Sequence, residues 1–175
     1  MKWRFAGLFL LTFAVLVTAW WAIDFGVHYR TAVLESARTV SPLVNGWWLD
    51  YDQPGMVDPV VFRSGGRQLP MLLQLPALSM ALMPLISLIV ATPHQSIRRR
   101  FAAAVIGGVA FFGIHVVVVL VYPFIMDRPN VVKDTLGVFS GLVAFVVGPL
   151  GLWFALTYPA LRSVWQIDPQ AARKQ

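Results

Sequence analysis

Cysteine is absent from the 175 residues. That absence removes disulfides, thiolate nucleophiles and cysteine metal sites together. It leaves the redox compartment open, since a cysteine-free chain suits either side of a membrane. Charge is scarce too. Only 13% of the residues are Asp, Glu, Lys or Arg, against roughly 25% in a soluble domain. So few charges cannot cover a water-soluble surface. The histidines, His28, His94 and His115, fall in three separate stretches and cannot converge on one metal. No H-E-x-x-H, nucleophile elbow, P-loop or dinucleotide fingerprint occurs. These absences predict no catalytic set, no cofactor and no metal site.

What the chain has in plenty is apolar surface. Hydrophobic residues make up 58%, against roughly 45–50% in soluble domains, and the mean hydropathy is +0.69. Lipid must serve as much of the solvent, and a chain this short reads as one polytopic membrane unit. The net charge of +6 is not a nucleic-acid signature. The basic residues flank apolar runs, where topology and anionic headgroups account for them.

A bilayer core of ~30 Å takes about 20 apolar residues in a helix. Four stretches meet that need, at about 5–23, 75–92, 101–122 and 136–158. The first ends at Trp20-Trp21, as an interfacial aromatic belt would. Its length and its lack of a small-residue cleavage site predict an uncleaved anchor rather than a signal peptide. In the second, Pro70, Pro76 and Pro84 interrupt the run. Pro76 suits a first turn, and Pro84 is expected mid-span with a kink. The fourth holds Pro149.

Basic residues set the orientation. Lys2, Arg4, Arg98, Arg99, Arg100, Arg162, Arg173 and Lys174 fall on one side. The opposite loops mix Arg30, Arg38, Arg63, Arg67, Arg128 and Lys133 with most of the acids. The triplet Arg98-Arg99-Arg100 is the topology anchor, and the positive-inside rule puts it and both termini in the cytoplasm.

Residues 24–74 then lie on the far side. Phe25, Tyr29, Val33, Ala37 and Val40 recur at helical spacing, with Arg30, Glu35 and Arg38 largely off that line. This predicts an amphipathic helix that bends to lie on the membrane, with Ser41-Pro42 either its stop or a fresh N-cap with proline at the first position. Trp47 and Trp48 form an interfacial pair, followed by a turn holding Asp50 and Asp52. Asp50, Asp52 and Asp58 lack the glycine and distal glutamate of an EF-hand loop, so a solvated acidic turn is expected. Val57 to Arg63, Ser64-Gly65-Gly66 and Arg67 to Leu73 read as a β-hairpin. The fold class is therefore an all-α membrane protein: a four-transmembrane-helix bundle with a small extracytoplasmic helix plus β-hairpin insertion between spans one and two.

Within the spans, Gly137-x-x-x-Gly141 and the pairs Ala103/Gly107 and Ala104/Gly108 repeat small residues every four positions. Such faces let helix backbones approach closely, so spans three and four are expected to pack tightly. His115 lies near the middle of span three. Intramembrane ionisable residues mark proton relays and polar ligands. With no acid at its depth, a neutral histidine bonded across a helix interface is the expectation.

The stretch Pro76 to Pro93, the Arg98-Arg99-Arg100 loop behind it and the apolar third span resemble the exosortase-associated membrane proteins, in particular those accompanying exosortase H. The resemblance is one of layout: an anchor, an outer helix with short strands, a second span, a basic loop and two more spans. It implies a bacterial inner-membrane accessory to a protein-sorting system, partnered by a membrane transpeptidase. Exosortases use a cysteine, which this chain lacks, so no catalytic residue carries over. Trp47, Trp48, Asp50 and Asp52 are the expected partner contacts. The alternative is a small structural subunit of a transport or respiratory complex, assembled through the span-three and span-four glycines.

Overall fold

The computed structural model describes residues 2–51, 60–71, 79–128 and 130–164. The chain is mainly helical. Helix α1 (Lys2–Ala22) is followed at once by α2 (Phe25–Val44). Three short strands come next: β1 (Trp48–Asp50), β2 (Val60–Ser64) and β3 (Arg67–Met71). Then follow α3 (Leu82–Ala91), α4 (Ile97–Met126), α5 (Val131–Leu142), a π-helical turn (Val143–Val147) and α6 (Gly148–Val164).

Three helical stretches among the described residues are long and apolar enough to cross a membrane: Trp3–Ala22, Ile97–Met126 and Val131–Arg162. At 1.5 Å per residue they run about 30, 45 and 48 Å. They match spans one, three and four. The second expected span, 75–92, is present only in part. Helix α3 covers Leu82–Ala91, about 15 Å, which is half a bilayer core; positions 75–78 lie outside the described residues. Ser79 and Met80 are helical and Ala81 is a turn, so the helix is interrupted just ahead of Pro84, which sits in the first turn of α3 and leaves the Met80 carbonyl without its usual backbone donor.

Helix α1 turns into α2 through Asp24, whose φ of 48° is left-handed. Gly26 lets the corner close, since a Cβ there would meet Trp20 Nε1 at 3.0 Å. The predicted apolar stripe of α2 exists, with Tyr29, Val33 and Ala37 buried. It faces protein rather than a membrane surface: α4 and β1 cover it. Nor does α2 stop at Ser41-Pro42. Ser41 is fully buried and its hydroxyl lies 2.8 Å from the Trp47 carbonyl oxygen, which holds the helix through Pro42. The true stop is Asn45-Gly46. Gly46 takes φ 71°, the left-handed conformation that ends helices.

The expected hairpin is β2–β3. Ser64 pairs with Arg67, so the loop is Gly65-Gly66, both at positive φ. A two-residue hairpin loop of the favoured type demands that geometry. Strand β1, absent from the expected hairpin, pairs antiparallel with β2 and completes a β1-β2-β3 sheet. Leu49, Phe62 and Leu69 form a row across the strands. This face is the buried one, with Phe62 wholly enclosed.

Helices α4 and α5–α6 run antiparallel. A Cβ at Gly137 would meet Ile125, one at Gly148 would meet Phe111, and one at Gly107 would meet Leu156. Gly107 is a three-helix contact, since Ile89 of α3 also lies 3.2 Å from that position. Spans three and four do pack together, at Gly107 and Gly148. Gly108 and Gly141 have nothing within 4 Å.

Candidate functional site

Two regions gather the side chains that matter. The first is the end of the helix bundle where the sheet is fixed to α4. Asn45 Nδ2 donates to the Leu120 carbonyl oxygen at 2.8 Å. Leu120 lies three residues before Pro123, where the missing proline N–H loosens the helical ladder. Asn45 Oδ1 accepts from the Trp47 backbone N–H at 2.9 Å, so one side chain ties the end of α2 to α4 and to the start of β1. Tyr122 donates from its hydroxyl to the Pro70 carbonyl oxygen at 3.0 Å. Arg67 meets Asp127 at 3.4 Å. Lys133 donates to the Asp127 carbonyl oxygen.

The other face of the sheet is open. Trp48 is 65% exposed and sits opposite Arg63 in register. Arg63 pairs with Asp50 at 3.0 Å, so this aspartate is committed to the sheet. Trp47 is half-buried against the core. Asp52 and Asp58 lie outside the described residues. Alongside, the Tyr51 hydroxyl donates to Glu35 and Arg38 lies 5.8 Å from the Tyr51 ring centre. Partial burial first, then the Glu35 carboxylate, push the Tyr51 hydroxyl up to about 12. It stays protonated as a donor at every physiological pH.

The second region is a buried polar pair. His115 is fully buried, and its Nδ1 lies 2.8 Å from the Tyr29 hydroxyl. This is the interhelical bond expected of His115, but its partner comes from α2, 86 positions away. Aromatic rings enclose it. Phe111 stacks at 4.3 Å between centres, and Tyr29 meets Phe112 edge-on at 5.8 Å. His115 Nε2 has no hydrogen-bond partner. The antiparallel pairing of α4 with α5–α6 sets the π-helical turn level with His115. Arg30, only 6% exposed, is a buried cation next to Tyr29 in sequence. The burial of Tyr29 and Arg30 is not legible from periodicity, because nothing local tells a helix face covered by protein from one covered by lipid.

Removing the Tyr29 hydroxyl tests the pair. Tyr29→Phe is expected to lower stability in detergent by about 1–2 kcal/mol, leaving Nδ1 buried without a partner. Adding His115→Leu to it is expected to recover part of that loss, because two apolar partners carry no desolvation cost. A double-mutant cycle on the unfolding midpoint reads both, and strict additivity would count against a coupled pair.

At the opposite end, Trp153 Nε1 donates to Thr92 Oγ1 at 2.9 Å and Arg100 donates to the Thr92 carbonyl oxygen at 3.2 Å. Arg100 thus helps to hold the end of α3, whereas Arg98 and Arg99 are exposed. Among the described residues no three His, Asp or Glu side chains converge as a metal site. Comparison with family models, with curated proteins and with solved structures finds no match.

Proposed function

We propose that this chain is a multi-pass protein of the bacterial inner membrane that acts, without chemistry of its own, as an accessory to a protein-sorting system of the exosortase type. In this reading residues 75–92 complete a fourth crossing, and both termini share the cytoplasm with Arg98, Arg99 and Arg100. The outer sheet is the docking platform for a membrane transpeptidase or its substrate. One observation carries the reading. The buried Phe62, stacked on Tyr122, holds the sheet on α4, with polar links from Asn45 to Leu120 and from β3 through Pro70 to Tyr122 and Arg67 to Asp127, while Trp48 stands exposed on its free face. Exposed tryptophans on rigid supports are the usual anchors of protein interfaces.

A second reading has its own support. Helix α5 has no buried residue, and Val138 is 76% exposed. A small structural subunit of a transport or respiratory complex would use that face. Photo-crosslinking from a probe at Trp48 or at Val138, in native membranes, separates the two. Capture of a sortase-type transpeptidase from Trp48 alone is the expected result. Capture of transporter or respiratory subunits from Val138, with nothing from Trp48, would replace the accessory reading by the subunit reading.

A further inference from the structure

At the arginine end of the bundle a cleft of about 300 Å³ opens between α4 and α6. That volume is at the lower end of ordinary ligand clefts, roughly 300–1,000 Å³. Its chemistry changes with depth. Gln95 and Arg99 line the mouth, beside Pro159 at the far end of α6. Ala102, Ile106 and Leu156 line the deeper part, toward the level where Leu156 approaches Gly107. The cleft is thus polar and cationic where the bundle meets water, and apolar one to two helical turns further in.

Among the described residues, charge at this end has one sign. Arg98 and Arg99 are exposed, and among the described residues no carboxylate pairs with either. Every described carboxylate, on Asp24, Glu35, Asp50, Asp127 and Asp134, lies at the α1–α2 corner or the sheet end. Gln95 Oε1 is buried without a hydrogen-bond partner. Such an atom costs free energy unless a donor reaches it.

We propose that this cleft binds one anionic glycerophospholipid of the phosphatidylglycerol type. The phosphate sits against Arg99, within the field of Arg98. A headgroup hydroxyl donates to Gln95 Oε1. One acyl chain enters between Ile106 and Leu156. A zwitterionic lipid satisfies the apolar part but cancels the charge that the arginines meet. The inference needs only a chain that spans a bilayer, and it stands or falls apart from the sorting partner.

Native mass spectrometry of the full chain in mild detergent, titrated with phosphatidylglycerol or phosphatidylcholine, tests it. One phosphatidylglycerol is expected to bind, roughly tenfold tighter than phosphatidylcholine. Arg99→Gln is expected to weaken binding roughly fivefold, in line with one arginine's share of the attraction to anionic lipid. Ala102 is exposed, so Ala102→Phe fills the cleft without disturbing the core. It is expected to lower affinity as much as Arg99→Gln while leaving the unfolding midpoint in place. Equal binding of the two lipids overturns the proposal. So does wild-type binding by Ala102→Phe, which would mean diffuse attraction to surface charge. Displacement of the lipid by millimolar inorganic phosphate would show that the acyl chain contributes nothing, and overturns it as well.

Discussion

Gly148→Leu is expected to cost about 3 kcal/mol or more, at the upper end of what overpacking costs. The reason is local. The Gly148 N–H donates to the Val143 carbonyl oxygen, which closes the π-helical turn. A Cβ on Gly148 would lie 2.6 Å from that same oxygen. Real Cβ atoms do not approach backbone oxygen so closely, so the turn must unwind or α6 must move. Movement is blocked on the other side, where Phe111 and Ile114 of α4 stand 3.5 and 3.7 Å from the same point. Gly141→Leu is the control. Nothing lies within 4 Å of a Cβ there, so its effect is expected within about 0.5 kcal/mol. Denaturation of the two variants in detergent, followed by circular dichroism, reads the difference. Equal stabilities would mean that the π-helical turn is not the resting form of the α5–α6 helix.

The same pair of glycines shows where sequence reading reaches its limit. The four-residue spacing of Gly137 and Gly141 is visible by eye, and Ala144 and Gly148 repeat it. Yet Gly148 carries the contact and Gly141 faces open space. Spacing tells which residues share a helix face; it does not tell which face meets protein. The same holds for α2. Its stripe of Tyr29, Val33 and Ala37 is legible from periodicity, but its partner α4 is not. The contacts that fix it, Tyr29 to His115 and Asn45 to Leu120, join positions 86 and 75 apart. The hairpin was legible because Gly65-Gly66 records a local backbone requirement. Strand β1 was not, since Trp48–Asp50 has three residues, too few to alternate, and exists only through its pairing with β2. The apolar lengths of α1, α4 and α5–α6 were legible because lipid imposes them residue by residue. The stretch 75–92 was harder. Prolines at Pro70, Pro76 and Pro84 leave several possible starts, and α3 begins only at Leu82.

Phe62→Ala is expected to cost roughly 3–5 kcal/mol, the usual range for a fully buried phenylalanine. It is expected to free the sheet while the membrane helices stay assembled. Phe62 has no exposed surface. It pairs in register with Leu49 on one side and Leu69 on the other, and its ring stacks on Tyr122 of α4 at 6.0 Å between centres. It therefore holds all three strands to one another and to the helix. A sheet of this size does not persist without such packing. Once the ring is gone, the bond from Tyr122 to Pro70 and the exposed Arg67–Asp127 pair are left to hold it. An exposed pair contributes roughly 0–1 kcal/mol, and a net hydrogen bond about as much. Arg63→Ala is the comparison on the opposite face. It loses only the half-exposed pair with Asp50, so about 1 kcal/mol or less is expected. Hydrogen exchange over residues 60–71 in detergent distinguishes the two. Phe62→Ala should lose protection there while 101–121 keeps it, and Arg63→Ala should keep both. Unchanged protection of residues 60–71 in Phe62→Ala would mean that the sheet is held by something other than its buried face. If Trp48 is the partner anchor, Phe62→Ala should also abolish crosslinking from position 48 with Trp48 itself unaltered, because an anchor binds only while its support holds it in place.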